Sequence, residues 1–124
     1  MNINNLNIMT IAYLGDAVYE LYIRKYLIKK NISMVNELQK EAIKYVSAKG
    51  QANILSNLIS NNLLTNEEID IVKRGRNYKR STHPKNTNII TYKKSSGFEA
   101  LIGYLYLREN YKRIEEILKY IEVD

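Results

Sequence analysis

The 124 residues are 45% hydrophobic, enough for one buried core, so a single domain over residues 1–124 is expected. No cysteine is present and His83 is the only histidine, which excludes disulfides, thiolate metal sites and a Cys nucleophile and directs any metal site to oxygen ligands, suited to Mg²⁺ or Mn²⁺. The formal charge of +6 is concentrated: residues 71–98 hold eight of the 19 Lys and Arg and none of the 13 acids, which suits a polyanion or, in the plainer reading, a solvated basic loop.

The N-terminal MNINNLNIM has neither a basic n-region nor a long apolar core. No stretch reaches the roughly eighteen apolar residues of a membrane span, so a soluble, cytoplasmic protein with no membrane partner is expected. From about Asn5 to Lys29, Ile8, Ile11, Leu14, Val18, Leu21, Tyr22 and Leu27 recur at three- and four-residue steps, which predicts a long helix broken at Asn31 and Ser33. A second helix is expected over Met34 to Tyr45, with Val35, Leu38, Ala42 and Ile43 inward. Ser47 is placed to cap a third, carrying Ala52, Ile54, Leu55, Leu58 and Ile59 as far as Asn61-Asn62. Thr65-Asn66-Glu67-Glu68 fits a capping box, in which Thr and Glu satisfy each other's exposed backbone donors, and starts a fourth helix ending near Asn77.

Between Tyr78 and Ser95 lies the one long irregular stretch expected, with the sole proline, Pro84. A loop of that length in a compact domain is usually functional or disordered, and its lysines and arginines favour function. Helices over Ser96 to Arg108 and Asn110 to Ile121 close the chain, the last amphipathic through Ile114, Ile117, Leu118 and Ile121. Nothing alternates as a sheet strand would, so the expected architecture is all-α, with about six to seven helices.

Two acids stand in apolar helical surroundings: Asp16 in AYLGDAVYE and Glu99 in SSGFEALIGYLYL. Such a group is costly to bury unless it is paired or holds a cation, and two from distant segments could share a metal. Ala12 and Gly15 near Asp16, and Gly103 one turn after Glu99, leave space for another helix or a phosphate backbone. The plain alternatives are a surface pair of Asp16 with Arg24 or Lys25, and a Glu99 that caps its helix through the pattern Ser96-Gly97-Phe98-Glu99. Glu20, one turn beyond Asp16, is a third candidate acid, which pairing with Arg24 at i+4 would explain.

Tyr13-Leu14-Gly15-Asp16-Ala17-Val18 resembles the signature helix of the ribonuclease III family, and Phe98-Glu99-Ala100-Leu101-Ile102-Gly103 resembles its second acidic motif. With Lys73 to Asn77 (KRGRN) and His83 to Asn86 (HPKN) between them, the likeness covers most of the chain. It is nearest to the compact Mini-III branch, a catalytic domain with no appended double-stranded-RNA-binding domain, for which this length leaves no space. The resemblance implies an all-helical homodimeric endonuclease domain that cuts both strands of double-stranded RNA with Mg²⁺, Mn²⁺ being able to substitute, and leaves 5′-phosphate and 3′-hydroxyl ends.

The same resemblance implies Asp16 and Glu99 as the catalytic, metal-binding acids. Longer members of the family carry two more acids, where this chain has Ala12 and Ser96, so the metal site would be sparse. A catalytically degenerate RNA-binding domain of the same fold is the alternative, and a helical protein-interaction domain the third reading. By analogy with the branch, the substrate would be precursor large-subunit (23S) ribosomal RNA, presented with or without a ribosomal protein.

A-form RNA is read through phosphates and 2′-hydroxyls, which suits the side chains of the basic segment. Arg74, Arg76, Lys79, Arg80 and Lys85 are assigned to phosphates, and Asn77 and Asn86 to hydroxyls. Tyr78 and Tyr92 are expected to pack. His83 is expected to be an RNA contact or loop residue and not a general base, because the metal mechanism needs no imidazole.

Overall fold

The computed structural model describes residues 1–78 and 88–122. A short 3₁₀ turn (Ile3–Asn5) leads into six helices: α1 (Ile8–Lys29), α2 (Val35–Val46), α3 (Ala48–Ser60), α4 (Asn66–Asn77), α5 (Ile89–Leu107) and α6 (Tyr111–Glu122). Among the described residues there is no strand, as the hydrophobic spacing led one to expect.

Local hydrogen bonding places most of the helix ends. α1 starts at Ile8, three residues later than its apolar pattern suggests, because Asn7 is extended and its Oδ1 accepts from the Met9 N–H at 2.8 Å. Ser47 both ends α2 and caps α3, its Oγ accepting from the Gly50 N–H at 3.1 Å. After α3, Asn62 takes φ 55°, a left-handed conformation that asparagine tolerates, and the Leu63 N–H donates back to the Leu58 carbonyl at 3.0 Å. The capping box forms at α4: Thr65 Oγ1 accepts from the Glu68 N–H (3.1 Å) and Glu68 Oε1 from the Thr65 N–H (2.9 Å).

The largest departure concerns the stretch expected to stay irregular up to Ser95. Helix α5 already begins at Ile89, capped by Asn88, whose Oδ1 accepts from the N–H groups of Ile90 (2.8 Å) and Thr91 (3.4 Å). Ser95, Ser96 and Gly97 are buried inside this helix. They are small because α4 crosses there: a β-carbon on Gly97 would lie 2.8 Å from the Val72 carbonyl oxygen. Ser96 therefore caps nothing, and the capping explanation of Glu99 falls. Three apolar side chains also turn out differently. α2 is peripheral and exposes Val35 and Ile43, burying only Ala42, while Ile59 points outward from α3.

α5 is the central helix, lying against α1, α3, α4 and α6. Its Phe98, Leu101 and Ile102 are fully buried with Ile11 and Tyr19 of α1, Leu55 and Leu58 of α3, and Ile114 and Ile117 of α6. Each such side chain contributes about 1.5–3 kcal/mol on leaving water. The Tyr19 ring meets Phe98 edge-on, with centroids 4.9 Å apart, and its hydroxyl donates to the Tyr45 carbonyl at 2.9 Å, joining α1 to α2. Burial pushes the Tyr19 hydroxyl pKa far above its ordinary value, so it stays a neutral donor. Arg113 fastens α6 to the start of α4: its Nε donates to Glu68 Oε2, and its Nη2 to Glu68 Oε1 and the Leu63 carbonyl, each at 2.8 Å. No described helix is long and apolar enough to cross a membrane.

Candidate functional site

Helices α1 and α5 meet backbone against backbone. A β-carbon on Gly15 would fall 1.8 Å from the Glu99 carbonyl oxygen, and one on Gly103 would fall 2.0 Å from the Ile11 carbonyl oxygen, so neither position admits a side chain. Asp16, next to Gly15, and Glu99 thereby come to one helix crossing from distant parts of the chain.

The two acids differ in setting. The core-facing side of α1 runs through Ala12, Gly15, Val18 and Tyr19, and this phase leaves Asp16 exposed. Desolvation, suggested by its apolar neighbours in sequence, is therefore not what calls for a cation there. Among the described residues no cation pairs with Asp16. Arg24 bonds Glu20 instead, Nη2 to Oε1 at 3.0 Å, which accounts for that third acid.

Glu99 is half-buried. Gln51 of α3, only 1% exposed, donates through Nε2 to Glu99 Oε2 at 3.3 Å and to the Val46 carbonyl at 3.1 Å. None of the sequence motifs includes Gln51. Its signal was its phase: Gln51, Leu55 and Leu58 line the inward side of α3, and an amide there is not needed for packing.

The donor set fits a hard divalent cation. Mg²⁺ keeps several waters and is commonly held by one or two carboxylates together with substrate phosphates, and Asp16 and Glu99 are the residues that would supply such carboxylates. Among the described residues no cluster of three Asp, Glu or His that could hold a metal is formed. Ala12 and Ser96, where longer enzymes of the resembling family carry acids, are buried in the helix packing.

The basic end of α4 is fixed to the same length of α5. Arg74, Arg76 and Asn77 are exposed, while Gly75 between the arginines is buried. A β-carbon on Gly75 would lie 2.8 Å from Ala100 Cβ and 3.0 Å from Gly97 Cα, so the arginines flank a contact with the residues on either side of Glu99. No carboxylate among the described residues pairs with either arginine. Lys79, Arg80, Lys85 and Asn86, assigned to RNA from the sequence, lie outside the described residues, as does His83. Tyr78, expected to pack, is 38% exposed because it follows the last turn of α4; Tyr92 is half-buried.

Residues 10–110 match the Ribonuclease III domain family. The chain is 43% identical over 120 residues to the Mini-ribonuclease 3 of Streptococcus pneumoniae, covering 97% of this chain and 94% of that one. It is 48% identical over 120 residues to the Mini-ribonuclease 3 of Staphylococcus aureus, covering 97% and 90%. A crystal structure of a protein from Fusobacterium nucleatum matches with a TM-score of 0.86 at 31% identity, covering 98% of this chain and 97% of that one.

Proposed function

The chain belongs to the ribonuclease III family, in its Mini-ribonuclease 3 branch, and on that footing we propose that it is an endoribonuclease that cuts double-stranded RNA, with Mg²⁺ held by Asp16 and Glu99. The observation that carries this reading is the crossing at Gly15 and Gly103, which unites the acids of two separated motifs. Mn²⁺ would serve in place of Mg²⁺.

When bound, the metal supplies Lewis acidity at the scissile phosphate and a more acidic water for in-line attack, giving 5′-phosphate and 3′-hydroxyl ends. The rest is the work of this chain's own groups. Asp16, exposed on α1, offers its carboxylate where a phosphate backbone can approach. Glu99, half-buried, offers a carboxylate held from behind. Arg74 and Arg76 contact backbone phosphates and Asn77 a 2′-hydroxyl, aided by Lys79, Arg80, Lys85 and Asn86 of the same basic segment.

The active unit is a homodimer. On α1, Tyr13, Leu21 and Ile28 are 84%, 66% and 60% exposed and share a helix face with Ala17, beside Asp16. This exposed apolar set, crossed by the Glu20–Arg24 ion pair, suits a second copy of the chain, whose site would face the opposite RNA strand. By analogy with the branch, the substrate is precursor 23S ribosomal RNA in the cytoplasm, with a ribosomal protein as a further partner in presenting it.

Burial of the uncharged Ala12 and Ser96 supports the second reading, a catalytically degenerate RNA-binding domain. One experiment separates the two. A long RNA duplex is incubated with Mg²⁺ and the purified protein, beside Asp16→Asn and Glu99→Gln. The enzyme reading expects cleavage to 5′-phosphate ends by the wild type and little by either variant. No cleavage, with salt-sensitive duplex binding that disappears in an Arg74→Ala, Arg76→Ala double variant, would establish the non-catalytic reading.

A further inference from the structure

We infer that Gln51 is a positioning residue of the metal site, holding the Glu99 carboxylate through its side-chain amide in the orientation from which it serves the cation. The inference rests on the proposed role of Glu99. Its support is hydrogen-bond chemistry. The amide nitrogen of Gln51 has two N–H groups and faces two acceptors, the Val46 carbonyl at 3.1 Å and Glu99 Oε2 at 3.3 Å. Turning the amide over would set its oxygen against both, so the acceptors themselves determine which way it points.

That orientation leaves Gln51 Oε1 buried with no hydrogen-bond partner. An unpaired buried acceptor costs stability; a leucine or methionine of similar size would remove that cost but would take the donor away from the Val46 carbonyl and from Glu99. Apolar packing alone thus does not call for glutamine here; its two donor contacts do. What glutamine adds beyond the bond to the Val46 carbonyl is a neutral donor to a carboxylate. An arginine or lysine would neutralise Glu99 and compete with the cation, whereas an amide steadies the carboxylate and leaves its charge in place. Because Val46 closes α2 and Gln51 lies in the second turn of α3, the Glu99 side chain is referred to a rigid helix corner.

The test measures Mn²⁺ binding by electron paramagnetic resonance in the wild type, Gln51→Leu and Glu99→Gln, with the Mg²⁺ dependence of duplex cleavage alongside. Loss of a group that orients a metal ligand typically weakens metal binding about ten- to a hundredfold. Gln51→Leu should therefore weaken Mn²⁺ by about that factor and raise the half-saturating Mg²⁺ similarly. At saturating Mg²⁺ its cleavage rate should return toward that of the wild type, and duplex binding in EDTA should not change. If Glu99→Gln weakens Mn²⁺ and a cooperatively melting Gln51→Leu does not, the inference is overturned while the metal reading stands. If Glu99→Gln leaves Mn²⁺ affinity unchanged, the metal reading goes first and takes the inference with it. A measurement on the ¹⁵N-labelled wild type depends on no variant folding: the Gln51 side-chain amide resonances should move as Mg²⁺ is added, and fixed resonances would also overturn the inference.

Discussion

The carbonyl oxygen of Glu99 occupies the place that a β-carbon on Gly15 would take, 1.8 Å away. Glycine at 15 is thus what lets α1 approach α5 closely enough to set Asp16 beside Glu99, and Gly103 plays the reciprocal part against Ile11.

Gly15→Ala should therefore force the two helices apart. Overpacking of this kind costs about 1–3 kcal/mol, and in a domain of this size each kcal/mol lowers the melting temperature by about 3–6 °C. Cleavage should fall more than the unfolded fraction explains, since the acids would separate in protein that remains folded. Thermal melts and cleavage rates at a temperature well below the melt check both parts. Wild-type values of each would show that the crossing is looser than it looks.

The Arg113–Glu68 pair makes stability depend on acid. Burial alone would raise the Glu68 carboxyl, but hydrogen bonds from Arg113 and from the Thr65 backbone outweigh it and hold the pKa below its ordinary 4.5. A folded value below the unfolded one means stabilisation that is complete above about pH 4.5 and lost as pH falls through the folded value. Denaturant midpoints should thus decline steeply below about pH 4.5, and Glu68→Gln should flatten that decline. Arg113→Leu strands a buried carboxylate and should cost about 3–5 kcal/mol at neutral pH.

Duplex binding should weaken linearly in log–log form with added salt, because each phosphate contact releases counterions. Arg74→Ala and Arg76→Ala should each reduce that slope by about one. Filter binding in EDTA over a series of salt concentrations reads it. A slope left intact by both would show that α4's exposed end does not meet the RNA backbone.

Leu21 is exposed in the single chain, so Leu21→Lys should alter the fold's stability by less than about 0.5 kcal/mol. The same change places a charge in the apolar stripe and should shift sedimentation from dimer to monomer. An unchanged helical circular dichroism spectrum alongside that shift locates the contact on α1. A dimer that survives the substitution removes this face from the interface.

Much of the fold was legible one turn at a time. Ser47, the Thr65–Glu68 box and the Asn61-Asn62 stop act through hydrogen bonds a few residues long, and the structure bears each of them out. The apolar spacing of α6 places Ile114, Ile117, Leu118 and Ile121 inward, as they are. Ser95-Ser96-Gly97 shows where that logic stops. Small polar residues look alike in a loop and in a helix that another helix crosses, and only the Val72 carbonyl passing close to Gly97 separates the two cases.

By itself, then, the sequence determined the caps at Ser47 and Thr65, the all-helical class and the two acids that motif resemblance singles out, because these depend on neighbours within a few residues or on matching strings. Tertiary structure alone decided that Asp16 stands in solvent while Glu99 is half-buried, that Ser96 is no cap, and that Gln51 reaches Glu99. Each of those is settled by which helix crosses which, and a crossing is made of contacts between residues far apart in the chain.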